Sequence, residues 1–86
     1  MKAGILTRRA VLLQLEAASP ASVPPETILL GLKICGVECS EKELAAILDY
    51  LSEKNFAVIS RSEISASHMR AKLSAKGRDF LESGGF

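Results

Sequence analysis

The 86-residue sequence predicts a single α+β domain in which two helices joined by a short turn are followed by a β-hairpin and a final helix. Three observations carry this prediction. Segment 40–55 reads as a capped amphipathic helix, because Ser40 precedes Glu43 by three residues and apolar residues then recur at helical spacing. A shorter apolar helix ends at Gly36, about four residues earlier. From residue 56 onwards, two β-prone segments follow.

The first helix is predicted from Ile5 to Ala18 and ends before Pro20, because the residue preceding a proline disfavours the helical conformation. Its apolar residues form two faces, which indicates burial on more than one side. One face carries Leu6, Ala10, Leu13 and Ala17, and the other carries Val11, Leu15 and Ala18. The core of so small a domain can cover one face, and either the C-terminal helix or a second copy of the chain covers the other. We predict a homodimer with Val11, Leu15 and Ala18 at its interface.

The second helix opens at Pro24 and Pro25, where a missing backbone N–H costs nothing, and runs to about Cys35. Gly36 and Asn55 are expected to end the second and third helices with positive φ. Four residues of the second helix are expected to face the core: Ile28, Leu29, Leu32 and Cys35. Val23 is expected to form a one- or two-residue strand against the hairpin.

The hairpin is predicted from strands 56–61 and 68–73, with a polar loop between them at 62–67. Alternation in the second strand points Met69, Ala71 and Leu73 inward and His68, Arg70 and Lys72 outward. A short helix then begins after Ser74, and its Phe80 and Leu81 return to the core. Residues 1–4 and 83–86 are expected to fray.

The composition is that of an ordinary globular domain, with 48% hydrophobic and 24% charged residues. No apolar run reaches transmembrane length, no signal peptide is evident, and two cysteines are too few for a disulfide scaffold, so we expect a cytoplasmic protein without membrane contact. Residues 20–60 carry three lysines against six carboxylates, whereas residues 61–86 carry five basic against three acidic residues. The helix pair is therefore the acidic part, which disfavours simple phosphate binding by the third helix.

Segments 48–57 and 73–81 resemble the end of the recognition helix and the start of the final helix in winged helix-turn-helix proteins. Asn55 stands where that family usually has glycine, and Leu73-Ser74 leads into Lys76-Gly77 as it does there. The resemblance implies a three-helix core, a β-hairpin wing and a short C-terminal helix. Within the family, the arginine- and leucine-containing first helix, Gly31-Leu32 followed by Gly36, and the basic strand before Leu73-Ser74 resemble small proteins of Mu-like prophages. This resemblance implies a phage or bacterial origin and a DNA-related role.

The resemblance implies double-stranded DNA as a partner, and two groups of residues are candidate contacts. At the start of the third helix only Ser40 and Lys42 qualify, because the side opposite its apolar stripe has no Arg, Asn or Gln for a bidentate base contact. The second group, the basic strip, is expected to hold phosphates without reading bases. It comprises Arg61, His68, Arg70, Lys72, Arg8 and Arg9. The alternative for the third helix is a solvated face or a protein contact, and the alternative for the basic strip is a scattered solvated surface.

The spatial arrangement of the basic residues distinguishes a DNA-binding function from a protein-binding function. A DNA-binding protein, of the kind that regulates phage transcription, should bring Arg8, Arg9, Arg61, Arg70 and Lys72 onto one face. If they diverge, a winged-helix module for protein–protein interaction without DNA binding is favoured instead. We expect no enzyme, because phosphate-loop, zinc-protease and nucleophile-elbow motifs are absent from the sequence.

Neither a metal nor a cofactor is expected. Cys35 and Cys39 with His68 form one imaginable zinc set, but a structural zinc site normally takes four ligands. Each cysteine is therefore interpreted as a small buried hydrophobic residue.

Overall fold

The computed structural model describes residues 4–61 and 69–85, and within these ranges it has four helices and two strands. They are α1 (Ile5–Ala18), α2 (Pro25–Ile34), α3 (Glu41–Glu53), β1 (Ala57–Arg61), β2 (Met69–Leu73) and α4 (Ala75–Glu82). The α+β class predicted from the sequence is confirmed, and the element order is consistent with a winged-helix-like fold. None of the helices in the described ranges is long and apolar enough to cross a membrane.

The helix ends follow the local sequence signals. Ser40 Oγ accepts a hydrogen bond from the Glu43 backbone N–H at 3.1 Å, and the Glu43 carboxylate accepts from the Ser40 N–H at 2.9 Å. This is the predicted capping box, and it satisfies two backbone donors that an α-helix leaves unpaired. Gly36 and Asn55 have φ values of 80° and 66°, so both predicted left-handed positions are confirmed.

The core is aliphatic and receives residues from α1, α2, α3 and the hairpin. Its fully buried side chains include Val11, Leu12, Leu15, Ile28, Leu32, Leu44, Leu48 and Leu51. At its edge the rings of Phe56 and Phe80 stack with centroids 4.3 Å apart, which fastens α4 to the start of the hairpin. No charged or polar residue within 4–61 and 69–85 is buried. Burial of apolar surface therefore supplies the main stabilisation.

The sheet is an antiparallel pair whose register runs from Ala57 opposite Leu73 to Arg61 opposite Met69. Val23 adds a single bridge on the other edge of β2, because it exchanges backbone hydrogen bonds of 2.8 and 2.9 Å with Ala71. The short strand predicted at Val23 is thus confirmed. It connects the turn before α2 to the hairpin.

The interface predicted on α1 is wrong for two of its three residues. Val11 and Leu15 have no exposed surface within the single chain, because α2 and β2 pack against that side of α1. Ala18 is half-buried. A second copy could not contact side chains that the core already encloses. Leu6 and Leu13, which belong to the other apolar face, are the ones exposed to solvent.

Cys35, also expected in the core, is exposed. It lies at the C-cap of α2, where the chain turns away through Gly36 and the Val37 N–H bonds back to the Leu32 carbonyl at 2.8 Å. Two further predictions, the polar loop at 62–67 and the outward position of His68, fall outside the described residues.

Candidate nucleic-acid interface

The hairpin carries basic side chains on both of its faces. Cross-strand partners share a face and successive residues alternate, so Arg61 lies with Met69 on the face that covers the core. The Arg61 guanidinium is exposed at the end of that face, and its Nη1 donates to Met69 Sδ at 3.8 Å. Arg70 and Lys72 lie on the outer face, opposite Ser60 and Val58. The prediction that Arg61 lines the same side as Arg70 and Lys72 is therefore wrong.

Arg70 is oriented by the turn before α2. Its Nε donates to Ser22 Oγ at 2.9 Å, and its Nη2 donates to the Ser22 carbonyl oxygen at 2.8 Å. Arg78 of α4 donates in the same region, to Ser19 Oγ. Two guanidinium groups thus hold the turn at 19–22. Neither serine is among the site residues predicted from the sequence, and their only sequence signal is that they lie in the turn around Pro20.

The arginines of α1 lie elsewhere. The Arg8 guanidinium carbon lies 4.3 Å from the centroid of the Tyr50 ring, which is a cation–π contact with α3. Arg9 Nη1 donates to the Gly85 carbonyl oxygen at 3.3 Å, near the C-terminus. Arg70 contacts the turn at 19–22 instead. By these contacts the basic strip divides into an α1 pair and a hairpin group, and a single face shared by both stays a prediction.

The exposed side of α3 is acidic. Lys42 is exposed, and its chain neighbours Glu41 and Glu43 are exposed as well. Further along the same helix, Asp49 and Glu53 also face solvent. Ser40, the other candidate at this position, already uses its hydroxyl oxygen to cap the helix. A helix with this charge repels phosphates, so Lys42 would have to act against its own neighbours.

A shallow groove of about 240 Å³ joins the starts of α2 and α3 to the first residue of β2. Its lining is mostly apolar and includes Leu29, Ala45 and Met69. Glu26 and Glu41 contribute carboxylates from the first turns of the two helices, where the helix dipole stabilises negative charge. The groove shows that the end of the hairpin next to Arg61 and the N-terminus of α3 lie on the same side of the molecule.

The two cysteines lie in different environments. Cys35 is exposed, and its Sγ accepts a long hydrogen bond of 3.7 Å from Gln14 Nε2. Cys39 is half-buried, and burial together with the nearby Glu43 carboxylate raises the pKa of its thiol. The part of the chain that the structure describes contains no group of three His, Cys, Asp or Glu residues that could hold a metal ion. The predicted burial of both cysteines is thus wrong for Cys35.

Comparison with known proteins finds no matching family model and no matching curated protein. A solved structure of BpsR from Bordetella bronchiseptica, described for the regulation of its DNA binding by 6-hydroxynicotinic acid, does match. The TM-score is 0.71 at 10% identity, and the match covers 88% of this chain and 53% of BpsR. The chain therefore has the fold of about half of BpsR. The comparison gives no support to the prophage resemblance.

Proposed function

We propose that this protein is a winged-helix DNA-binding protein that regulates transcription and holds the DNA backbone mainly through its hairpin. The fold that it shares with part of BpsR, a protein whose DNA binding is regulated, supports this class of function. The observation that carries the proposal is the distribution of cations on the hairpin, with Arg61 on one face and Arg70 and Lys72 on the other.

Cations on both faces suit a hairpin that enters a groove of duplex DNA. The two walls of a groove are rows of phosphates, so a strand pair between them meets negative charge on each side. Arg61 would contact one wall, and Arg70 with Lys72 would contact the other. Such contacts position the protein but carry no sequence information, so we expect weak, strongly salt-dependent binding with little base preference.

The anchoring of Arg70 is compatible with phosphate binding. A guanidinium has five N–H donors, and the bonds from Nε and Nη2 to Ser22 use two of them. The remaining three N–H donors stay available for a phosphate, and the bonds to Ser22 fix the orientation of the guanidinium that carries them. An arginine held in this way loses less side-chain entropy when it binds a phosphate than a freely rotating one.

Fluorescence anisotropy with random-sequence duplex DNA, at a series of salt concentrations, tests the proposal. The double substitution Arg70→Ala with Lys72→Ala should weaken binding to all sequences alike. It should also reduce the slope of log K against log salt by about 2, since two phosphate contacts are lost. Lys72→Ala alone should reduce the slope by about half as much. Because this variant keeps the bonds between Arg70 and Ser22, it separates the loss of a charge from a disturbance of the structure.

The matched control is Lys54→Ala. Lys54 is the C-cap of α3 and lies about 20 Å along that helix from its N-terminus, which borders the 240 Å³ protein groove. The loss of Lys54 should leave DNA binding unchanged. An unaltered affinity in the hairpin double variant would rule out the hairpin as the contact.

A second candidate function is a protein-interaction module that does not bind DNA. The acidic exposed side of α3 and the division of the basic strip favour it, because both reduce the attraction of the molecule to phosphates. Absence of any anisotropy change at low salt with the unmodified protein would favour this candidate over the first.

A further inference from the structure

Helices α1 and α2 present a shared apolar surface to solvent, on the side opposite the core. We call it the outer face. It comprises Leu6 (79% exposed), Leu13 (38%), Leu30 (59%) and Ile34 (77%). The inner sides of the same helices supply Leu12, Leu15, Ile28 and Leu32 to the core. Each of these two helices is thus apolar on both sides, and the folded monomer covers only one.

The four residues belong to one continuous surface, because the two helices touch between them. Gly31 has no side chain, and the end of the Gln14 side chain occupies the space beside it. Gln14 also donates to Cys35 Sγ. On α1, Leu13 precedes Gln14, and on α2, Leu30 precedes Gly31. The exposed leucines therefore flank a single helix–helix contact.

The outer face is large enough for a weak dimer. The four side chains expose on the order of 400–500 Å² of apolar surface, which is within the range of patches that mark interaction sites. Two such faces packed together, with the surrounding alanines and edge residues, would bury close to the ~1,000 Å² that a specific interface needs. This area fits a dimer that dissociates at low concentration.

We propose that a second copy of this chain covers the outer face, in a two-fold arrangement that places α1 of each copy over α2 of the other. A two-fold interface uses the same patch on both copies, so the patch must complement itself. The outer face is compatible with this requirement, since its centre is uncharged while Arg9 and Glu16 border it on α1 and Glu26 and Lys33 border it on α2. In this arrangement Glu16 of one copy lies next to Lys33 of the other at the rim of the interface.

This interface replaces the one predicted from the sequence on α1, and it does not depend on DNA binding. A dimer would place two hairpins on one assembly, but its formation is measured on the protein alone. Loss of DNA binding and loss of self-association are therefore separate results.

Sedimentation equilibrium from micromolar to millimolar protein tests the proposal. The unmodified chain should show a reversible monomer–dimer equilibrium, and Leu13→Glu or Ile34→Glu should weaken it at least tenfold. The matched control is Val58→Glu, because Val58 is also an exposed apolar residue (46%) but lies on the hairpin. Thermal unfolding confirms that each variant is folded. A chain that stays monomeric throughout, or that loses its dimer equally in Val58→Glu, overturns the proposal.

A charge exchange tests the two-fold arrangement. Glu16→Lys and Lys33→Glu should each weaken the dimer by about three-fold, as expected for charges at the rim of an interface. The double variant should recover the original dissociation constant, since opposite charges again meet. Failure of the double variant to recover would contradict the placement of α1 over α2.

Discussion

Two glycines within helices show how a single residue can be required or replaceable. A Cβ atom on Gly77 would meet the backbone carbonyl of Phe56, which cannot move without disturbing the start of the hairpin. The atoms nearest to a Cβ atom on Gly31 would all belong to the end of the Gln14 side chain, which can rotate away. The same residue type is therefore a steric requirement in α4 and a local weakness in α2.

Alanine substitution should separate the two glycines. Gly77→Ala should lower the free energy of unfolding by about 1–3 kcal/mol, because the overpacking outweighs the gain in helix propensity. Gly31→Ala should raise it by about 0.5–1 kcal/mol, because alanine is the better helix former and Gln14 can adjust. Urea denaturation of both variants measures the difference, and equal effects would contradict the steric argument.

Ser74 strengthens the same junction. Its hydroxyl accepts a hydrogen bond from the Gly77 N–H at 2.9 Å and donates one to the Asn55 carbonyl oxygen at 2.6 Å. One side chain thus caps α4 and ties it to the left-handed residue that follows α3. This dual role explains why a short polar residue is suited to the position.

At the scale of the element, α3 is the helix whose boundaries are most clearly determined by its own sequence. The capping box fixes its start, Glu41 and Glu43 complement the positive end of its dipole, and Asn55 turns the chain after its last turn. Four apolar side chains at helical spacing then bind it to the core: Leu44, Ile47, Leu48 and Leu51.

Removal of the cap should loosen the start of α3. Ser40→Ala should cost about 1 kcal/mol, because the Glu43 N–H loses its acceptor. Faster amide hydrogen exchange at Glu43, together with a lower midpoint in urea, would report the loss. Ser52→Ala, within the last turn of the same helix, provides the control and should change stability little. No change in exchange at Glu43 would contradict a capping role.

At the scale of the whole molecule, one core cluster connects α1, α2, α3 and the hairpin, so stability depends on a few large aliphatic residues. Leu48→Ala should cost about 2–5 kcal/mol, as a buried cavity does. A domain of this length is stable by only about 5–10 kcal/mol, so this single change should lower the melting temperature markedly. Calorimetry against Val58→Ala, an exposed truncation, checks this expectation, and similar melting temperatures would place Leu48 outside the core.

The positions of the basic side chains also depend on the whole fold, so the sequence alone could not predict how the candidate site is arranged. Arg8 and Arg9 contact Tyr50 and Gly85, whereas Arg70 contacts Ser22. The bonds from Arg70 to Ser22 join residues 48 positions apart. The predicted bridge at Val23 places this turn against β2, but no local pattern in the sequence indicates that Arg70 bonds to Ser22.

The order and approximate ends of the helices and strands follow from the sequence, because caps, positive-φ residues and apolar periodicity act between residues a few positions apart. For α1 and for Arg61 of β1, however, the face that turns to the core depends on contacts between distant parts of the chain. The two faces of α1 are almost equally apolar, so the packing of α2 and β2 against Val11 and Leu15 makes the choice. The pairing of Arg61 with Met69 likewise sets the face of Arg61, since a strand's register depends on its partner.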